Sequence, residues 1–122
     1  MQDDVSRIPP ELLNSSSGRL DSLRVARYLY IDTKQVAMIA GSTEQLIRDE
    51  PDSPSVQDPL RKVALIIVGL LELTGGDKRS VLIWLKALHP VLDDESPLNL
   101  MMSGKINEVV DLVDDLLTGA PA

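Results

Sequence analysis

The sequence predicts an all-α protein of about one domain's length, and three observations carry that prediction. The 122 residues take their apolar content from 20 Leu, 11 Val and 8 Ile, with two Tyr, one Trp and no Phe. Such an aliphatic stock serves helices and strands alike, so periodicity decides: from Leu20 onward apolar residues recur at spacings of three and four. The third observation is punctuation, since pairs such as Asp58-Pro59 and Ser96-Pro97 open helices and Gly75-Gly76 stops one.

Residues 1–19 read as a flexible N-terminal arm. Pro9-Pro10 and the run Asn14-Ser15-Ser16-Ser17-Gly18 interrupt them, with at most one docked turn at Glu11-Leu12-Leu13. Leu20, Leu23, Ala26 and Leu29 mark a first helix capped by Asp21 or Ser22. Asp32 caps a second, whose apolar face is Val36, Ala37, Ile39 and Ala40. Gly41-Ser42 breaks it, and Thr43 or Ser42 caps a third helix, Thr43 to Asp49. A Pro/Ser linker follows, completing a segment 20–57.

Asp58 and Pro59 then act as cap and first helical residue of a central helix running to about Leu73, within a segment 58–76 assigned to packing and dimerisation. Its run Val63 to Leu71 is apolar on every side, which means burial all round, in the domain or between subunits. A buried strand competes for this run. Its flanks extend the pattern to helical length, about 15 residues, longer than a typical buried strand.

Asp77 caps the next helix, carrying Val81, Leu82, Trp84, Leu85 and Leu88, and His89-Pro90 ends it. Trp84 reads as a core anchor and His89 as a structural or solvent-exposed residue. Ser96-Pro97 opens a short helix, Leu98 to Met102. The last helix, Lys105 to Leu117, sets Ile106, Val109, Val110, Val113, Leu116 and Leu117 against Asn107, Glu108, Asp111, Asp114 and Asp115. The whole of 77–122 forms the last segment.

Absent residue types exclude much chemistry. With no Cys and one His, the chain offers no disulfide, no thiol nucleophile and no Cys-based or three-His metal site. Neither a metal nor any other cofactor is expected, nor a small-molecule substrate, and the protein is not read as an enzyme. Asp93-Asp94-Glu95 lacks the alternation and glycine of a calcium loop and reads as a solvated connector. The acidic start Met1-Gln2-Asp3-Asp4 lacks the pattern of a secretory signal, and the longest apolar run is far short of the roughly 20 residues that span a bilayer. A cytoplasmic protein with no membrane partner is expected. The net charge of −7 is spread along the chain, repels nucleic acid on average and favours a basic protein partner.

Two constellations remain. In the first, Ala37, Gly41 and Ile47 supply the small residue, the turn glycine and the buried apolar residue that a helix-turn-helix needs. Over roughly residues 20–50 the chain resembles the Xre/Cro-like helix-turn-helix class. The side chains available to enter a DNA groove are Thr43, Gln45 and Arg48, beside Glu44, Asp49 and Glu50. Residues 19–50 hold five basic and five acidic side chains. Recognition of operator DNA and a purely structural or dimerising use of the motif therefore stand side by side.

The second constellation comprises Trp84-Leu85, His89-Pro90, Leu92, Ser96-Pro97-Leu98, Gly104, Val109-Val110 and Leu116-Leu117. In this order and at this spacing it resembles the toxin-binding domain of Xre/MbcA/ParS-type antitoxins. The chain departs from that pattern at Asp93-Asp94-Glu95, where family members often carry a glycine. What the resemblance implies is an all-α protein in which an Xre-like helix-turn-helix segment precedes a small helical toxin-binding domain. It further implies an antitoxin of a type II toxin-antitoxin system, which occludes the active site of an NAD-consuming RES-domain toxin encoded nearby and autoregulates its operon. The expected toxin-binding residues are Ser96, Pro97, Leu98, Gly104, Lys105, Glu108, Asp111 and Asp115, whose acids would complement a basic cleft. A homodimer through the central helix is expected too. The alternatives are a stand-alone Xre-like transcriptional regulator and a helical protein–protein adaptor.

Overall fold

The computed structural model describes residues 7–119, and they are all-α. Seven α-helices follow in order: α1 (Ser22–Leu29), α2 (Thr33–Ala40), α3 (Glu44–Asp49), α4 (Gln57–Leu73), α5 (Lys78–Lys86), α6 (Pro97–Met102) and α7 (Ile106–Leu117). Short 3-10 turns at Pro10–Leu12, Pro54–Val56 and Pro90–Leu92 join or precede them.

Local chemistry explains most helix starts. The carboxylate of Asp21 accepts from the N–H groups of Leu23 and Arg24. Asp32 accepts from Gln35, whose own side chain accepts from the Asp32 N–H, which completes a capping box. Thr43, Asp77 and Ser96 each cap the helix that follows. One such reading is corrected: Asp58 is not a cap. The 3-10 turn at Pro54–Val56 runs straight into the helix, which begins at Gln57, so Pro59 is its third residue. Proline is tolerated there because N–H groups of the first turn have no intrahelical acceptor in any case.

The central helix is the α4 that its length suggested, and the strand alternative falls. It is about 25 Å long at 1.5 Å per residue. Leu60, Val63, Ala64, Ile66, Ile67 and Leu70 along it are essentially removed from solvent. Burying each of the larger side chains contributes about 1.5–3 kcal/mol. α7 packs along α4, and α6 packs against α7 and α2. Gly69 marks the α4–α7 crossing. A methyl group there would come within 2.5 Å of a Val113 methyl and 3.1 Å of Leu117 Cδ1, so only hydrogen fits that spot without movement. The glycine that interrupts the apolar run is thus what lets the two helices approach.

The helix-turn-helix constellation forms as its spacing suggests. Gly41 ends α2 in the left-handed region at φ 64°, and Ala37 and Ile47 are buried. One continuous apolar core takes in Leu12 and Leu20, all three early helices, α4 and the C-terminal helices.

The segment expected to be a flexible arm is folded against this core from residue 7 on; its first six residues lie outside the described part. Leu12 is wholly buried and Leu20 nearly so. The Asn-Ser-Ser-Ser-Gly run is a closed turn. Asn14 Oδ1 accepts from the N–H groups of Ser16 and Ser17, the Asn14 N–H donates to the Arg19 carbonyl, and Leu13 and Leu20 form an antiparallel bridge. The Gln57 side chain then clamps the hook to α4. Its Oε1 accepts from the Leu20 N–H at 3.1 Å, while Nε2 donates to the carbonyls of Leu20, Asp52 and Ser53 at 2.9–3.2 Å.

Candidate toxin-binding surface

α7 presents the surface that the sequence singled out. Its inner side, Ile106, Val109 and Val113, is buried on α4 and α6. Glu108, Asp111 and Asp115 lie three or four residues apart and are exposed, and Gly104 and Lys105 extend their stripe just ahead of the helix. No described basic side chain pairs with these three acids within 4.0 Å. The stripe is therefore a solvated, mainly acidic face of a helix fixed to the core, with Lys105 as the cation at its start.

The other three residues expected at the site do something else. Ser96, Pro97 and Leu98 are all buried. Ser96 Oγ accepts from the Asn99 N–H at 3.1 Å, Pro97 supplies the first helical residue, and Leu98 packs in the core. They position α6, and through it α7, rather than present a surface.

The connector before them explains the departure at Asp93-Asp94. Both aspartates have positive φ, 56° and 63°. The loop is closed by the Asp94 N–H on the His89 carbonyl (3.0 Å) and the His89 N–H on the Glu95 carbonyl (3.1 Å). The backbone keeps the conformation that glycine favours and fills it with Asp, one of the few other residues that tolerate it.

Trp84 is not the core anchor its helix position suggested. It is only partly buried and walls an open groove of about 530 Å³ between α4, α5 and α7. Val81 and Leu85 take the fully buried positions of α5 instead. His89 is structural, as expected: its Nε2 lies 2.8 Å from the Trp84 carbonyl, and the two rings are 4.7 Å apart. No local signal announces this groove, because it forms only where α7 packs beside the consecutive helices α4 and α5.

At the opposite end of α5, Lys78 Nζ sits 4.1 Å from the centre of the Tyr28 ring and 5.4 Å from that of Tyr30. Lys86 Nζ lies 3.4 Å from the Tyr30 carbonyl. Both lysines thus hold α5 against the end of α1. Burial, reinforced by the charge of Glu11, pushes the Tyr28 hydroxyl above its ordinary pKa. Hydrogen bonds from Ser80 hold the Asp77 carboxyl below the usual range, and the Ser17 hydroxyl, aided by Arg19, does the same for Asp52.

The candidate DNA-reading residues are brought to one short helix, yet their polar groups are engaged. Thr43 Oγ1 caps α3, Gln45 Nε2 donates to Asp49 at 2.8 Å, and Arg48 pairs with Glu44 at 3.1 Å. Among the described residues no group of three or more His, Asp or Glu is placed to hold a metal ion, and no helix is long and apolar enough to cross a membrane.

These features define a small all-α protein whose C-terminal helices share one continuous core with the rest of the chain. Residues 70–119 match the antitoxin Xre/MbcA/ParS C-terminal toxin-binding domain. The C-terminal part of the chain is thus similar to the toxin-binding domain of that antitoxin family. The fold is shared with a chain of the M. tuberculosis MbcT–MbcA toxin–antitoxin complex, at a TM-score of 0.59 and 16% identity over 83% of this chain and 94% of that one. Comparison with curated proteins finds no significant match.

Proposed function

We propose that the protein is an antitoxin that binds a RES-domain, NAD-consuming toxin encoded beside it and occludes the toxin's active-site cleft. The observation that carries this reading is the match of residues 70–119 to a toxin-binding domain whose last helix displays the unpaired acids Glu108, Asp111 and Asp115. A cleft that binds the phosphates of NAD carries positive charge, and an acidic helix complements it and speeds encounter. Inhibition by occupancy asks no chemistry of the antitoxin, in keeping with a chain that has one His and no Cys. Gly104 and Lys105 belong to the same surface, while Ser96, Pro97 and Leu98 support it from within.

Repression of its own operon is the second part of the reading. It would fall to Thr43, Gln45 and Arg48, and DNA would first have to break the Gln45–Asp49 and Arg48–Glu44 contacts. The apolar girdle of α4 is largely buried within the protomer, so a dimer that sets the spacing of two such helices would use another face.

The test is co-expression of the chain with its RES-domain neighbour. Wild type protects cells and forms a soluble complex. Reversing Glu108, Asp111 and Asp115 to Lys together restores toxicity while the folded helix content stays unchanged. Full protection by the triple reversal would remove the acidic stripe from the mechanism. Deleting residues 105–122 is no substitute, because it strips Ile106, Val109 and Val113 from the core.

A further inference from the structure

The groove between the end of α4, the outer side of α5 and α7 has aliphatic and aromatic walls: Leu70, Leu73, Ile83, Trp84, Ala87 and Leu116. It is a preformed shape, since the contact with His89 fixes the end of α5 that carries Trp84. Its walls are open to water to a degree that needs an explanation. Ile83 is 60% exposed and Leu73 42%, and the chain just beyond α5 adds Leu88 at 67% and Val91 at 54%. Grouped apolar exposure of this kind marks an interaction surface, whereas scattered exposed residues do not.

On its α7 side the groove is flanked by acids. On α7, Leu112 and Glu108 lie one and two turns back along the strip that ends in Leu116, and Asp115 is its neighbour; both acids are exposed. The lysines of α5 are held at Tyr28 and Tyr30, and Arg79, one turn before Ile83, is an exposed cation on the opposite, α5 side. The groove therefore has an acidic bank on its α7 side.

We infer that this groove is the anchoring site for the toxin: an apolar side chain from a toxin segment seats against Ile83 and Trp84, and Lys or Arg flanking it pairs with Glu108 and Asp115. This rests on the antitoxin reading above and divides the labour within it. The apolar groove supplies the slow off-rate, and the acidic bank supplies orientation and on-rate. Every wall residue falls within the matched stretch 70–119.

The experiment measures binding of the full chain to the purified RES-domain product of the adjacent gene, with light scattering on the free chain. Ile83→Glu is the main variant, since a side chain already 60% exposed can be changed without cutting into the core. Ile83→Ala is the milder companion in case the charge disturbs folding. The expected result is a loss of affinity of about 30-fold or more for Ile83→Glu and about tenfold for Ile83→Ala, mostly in the off-rate, at unchanged melting temperature. Glu108→Lys with Asp115→Lys slows association and flattens its salt dependence. If wild type binds tightly and both Ile83 variants bind within about threefold of it, the groove is not the anchor, although the antitoxin reading stands. If Ile83→Glu instead splits a dimer of the free chain and leaves toxin binding intact, the groove joins two copies and the inference is overturned. If wild type itself does not bind, the antitoxin reading fails and takes this inference with it.

Discussion

Replacing Gly69 by Ala should weaken the protein, although the same change in an exposed helix would strengthen it. Alanine gains about 1 kcal/mol over glycine in a helix interior. Here the added Cβ would stand 2.5 Å from Val113 Cγ1 and 3.1 Å from Leu117 Cδ1. Ordinary carbon contacts lie at about 3.5–4.0 Å, so α7 must recede by about 1 Å or Val113 must leave its rotamer. Val113 is 3% exposed and β-branched, which leaves it little freedom to turn. Overpacking of this kind costs about 1–3 kcal/mol. The balance is a net loss of about 1 kcal/mol, or a melting temperature lower by about 4 °C in a domain this size. Urea titration followed by far-ultraviolet circular dichroism measures it. Val113→Ala destabilises by itself, but the double variant should be more stable than the two losses sum to, with a coupling of about 0.5–3 kcal/mol. Stabilisation of Gly69→Ala by the full helix-propensity gain, with additive behaviour alongside Val113→Ala, would refute the close crossing of α4 and α7.

Other consequences follow from the same geometry. Gln57→Ala strips the partners from both backbone polar groups of Leu20 and should cost about 1–3 kcal/mol by the same urea assay, with the hook at residues 8–20 exchanging its amide hydrogens faster. Ser96→Ala should cost about 1 kcal/mol as a lost cap, yet leave toxin affinity unchanged at temperatures where the chain is folded, because Ser96 supports the surface from beneath it. Acid should destabilise the fold through Asp52 and Asp77. Both carboxyls are lowered from 3.8, so their contribution is complete above that value and is lost as pH falls through the folded values; Asp52→Asn and Asp77→Asn should flatten the dependence of the urea midpoint below about pH 4.

The sequence made the helices legible because their signals are local. A cap such as Asp32 acts on a residue three positions away, and the turn at Gly41 needs only its own backbone. Asp58 misled because an upstream 3-10 turn supplies the helix start that a cap would otherwise make. What stayed hidden depends on residues far apart. The Asn-Ser-Ser-Ser-Gly run looks mobile in isolation, yet Gln57, some forty residues later, holds its end. Gly69 passes unmarked within an apolar run, and its role needs Val113 beside it. The site divided along the same line. The exposed acids of α7 follow from helical period alone, whereas the burial of Ser96, Pro97 and Leu98 and the groove at Trp84 arise from packing among α4, α5, α6 and α7. The positive φ of Asp93 and Asp94 likewise depends on the loop closed between His89 and Glu95.

The most direct test of the central claim is the NAD-consuming activity of the proposed partner, a purified RES-domain toxin, as this chain is titrated in. Activity should fall to baseline at a fixed stoichiometry, the inhibited species should be a stable complex, and reversing Glu108, Asp111 and Asp115 should restore turnover. Undiminished NAD consumption at saturating antitoxin, with the two proteins eluting separately, would contradict it.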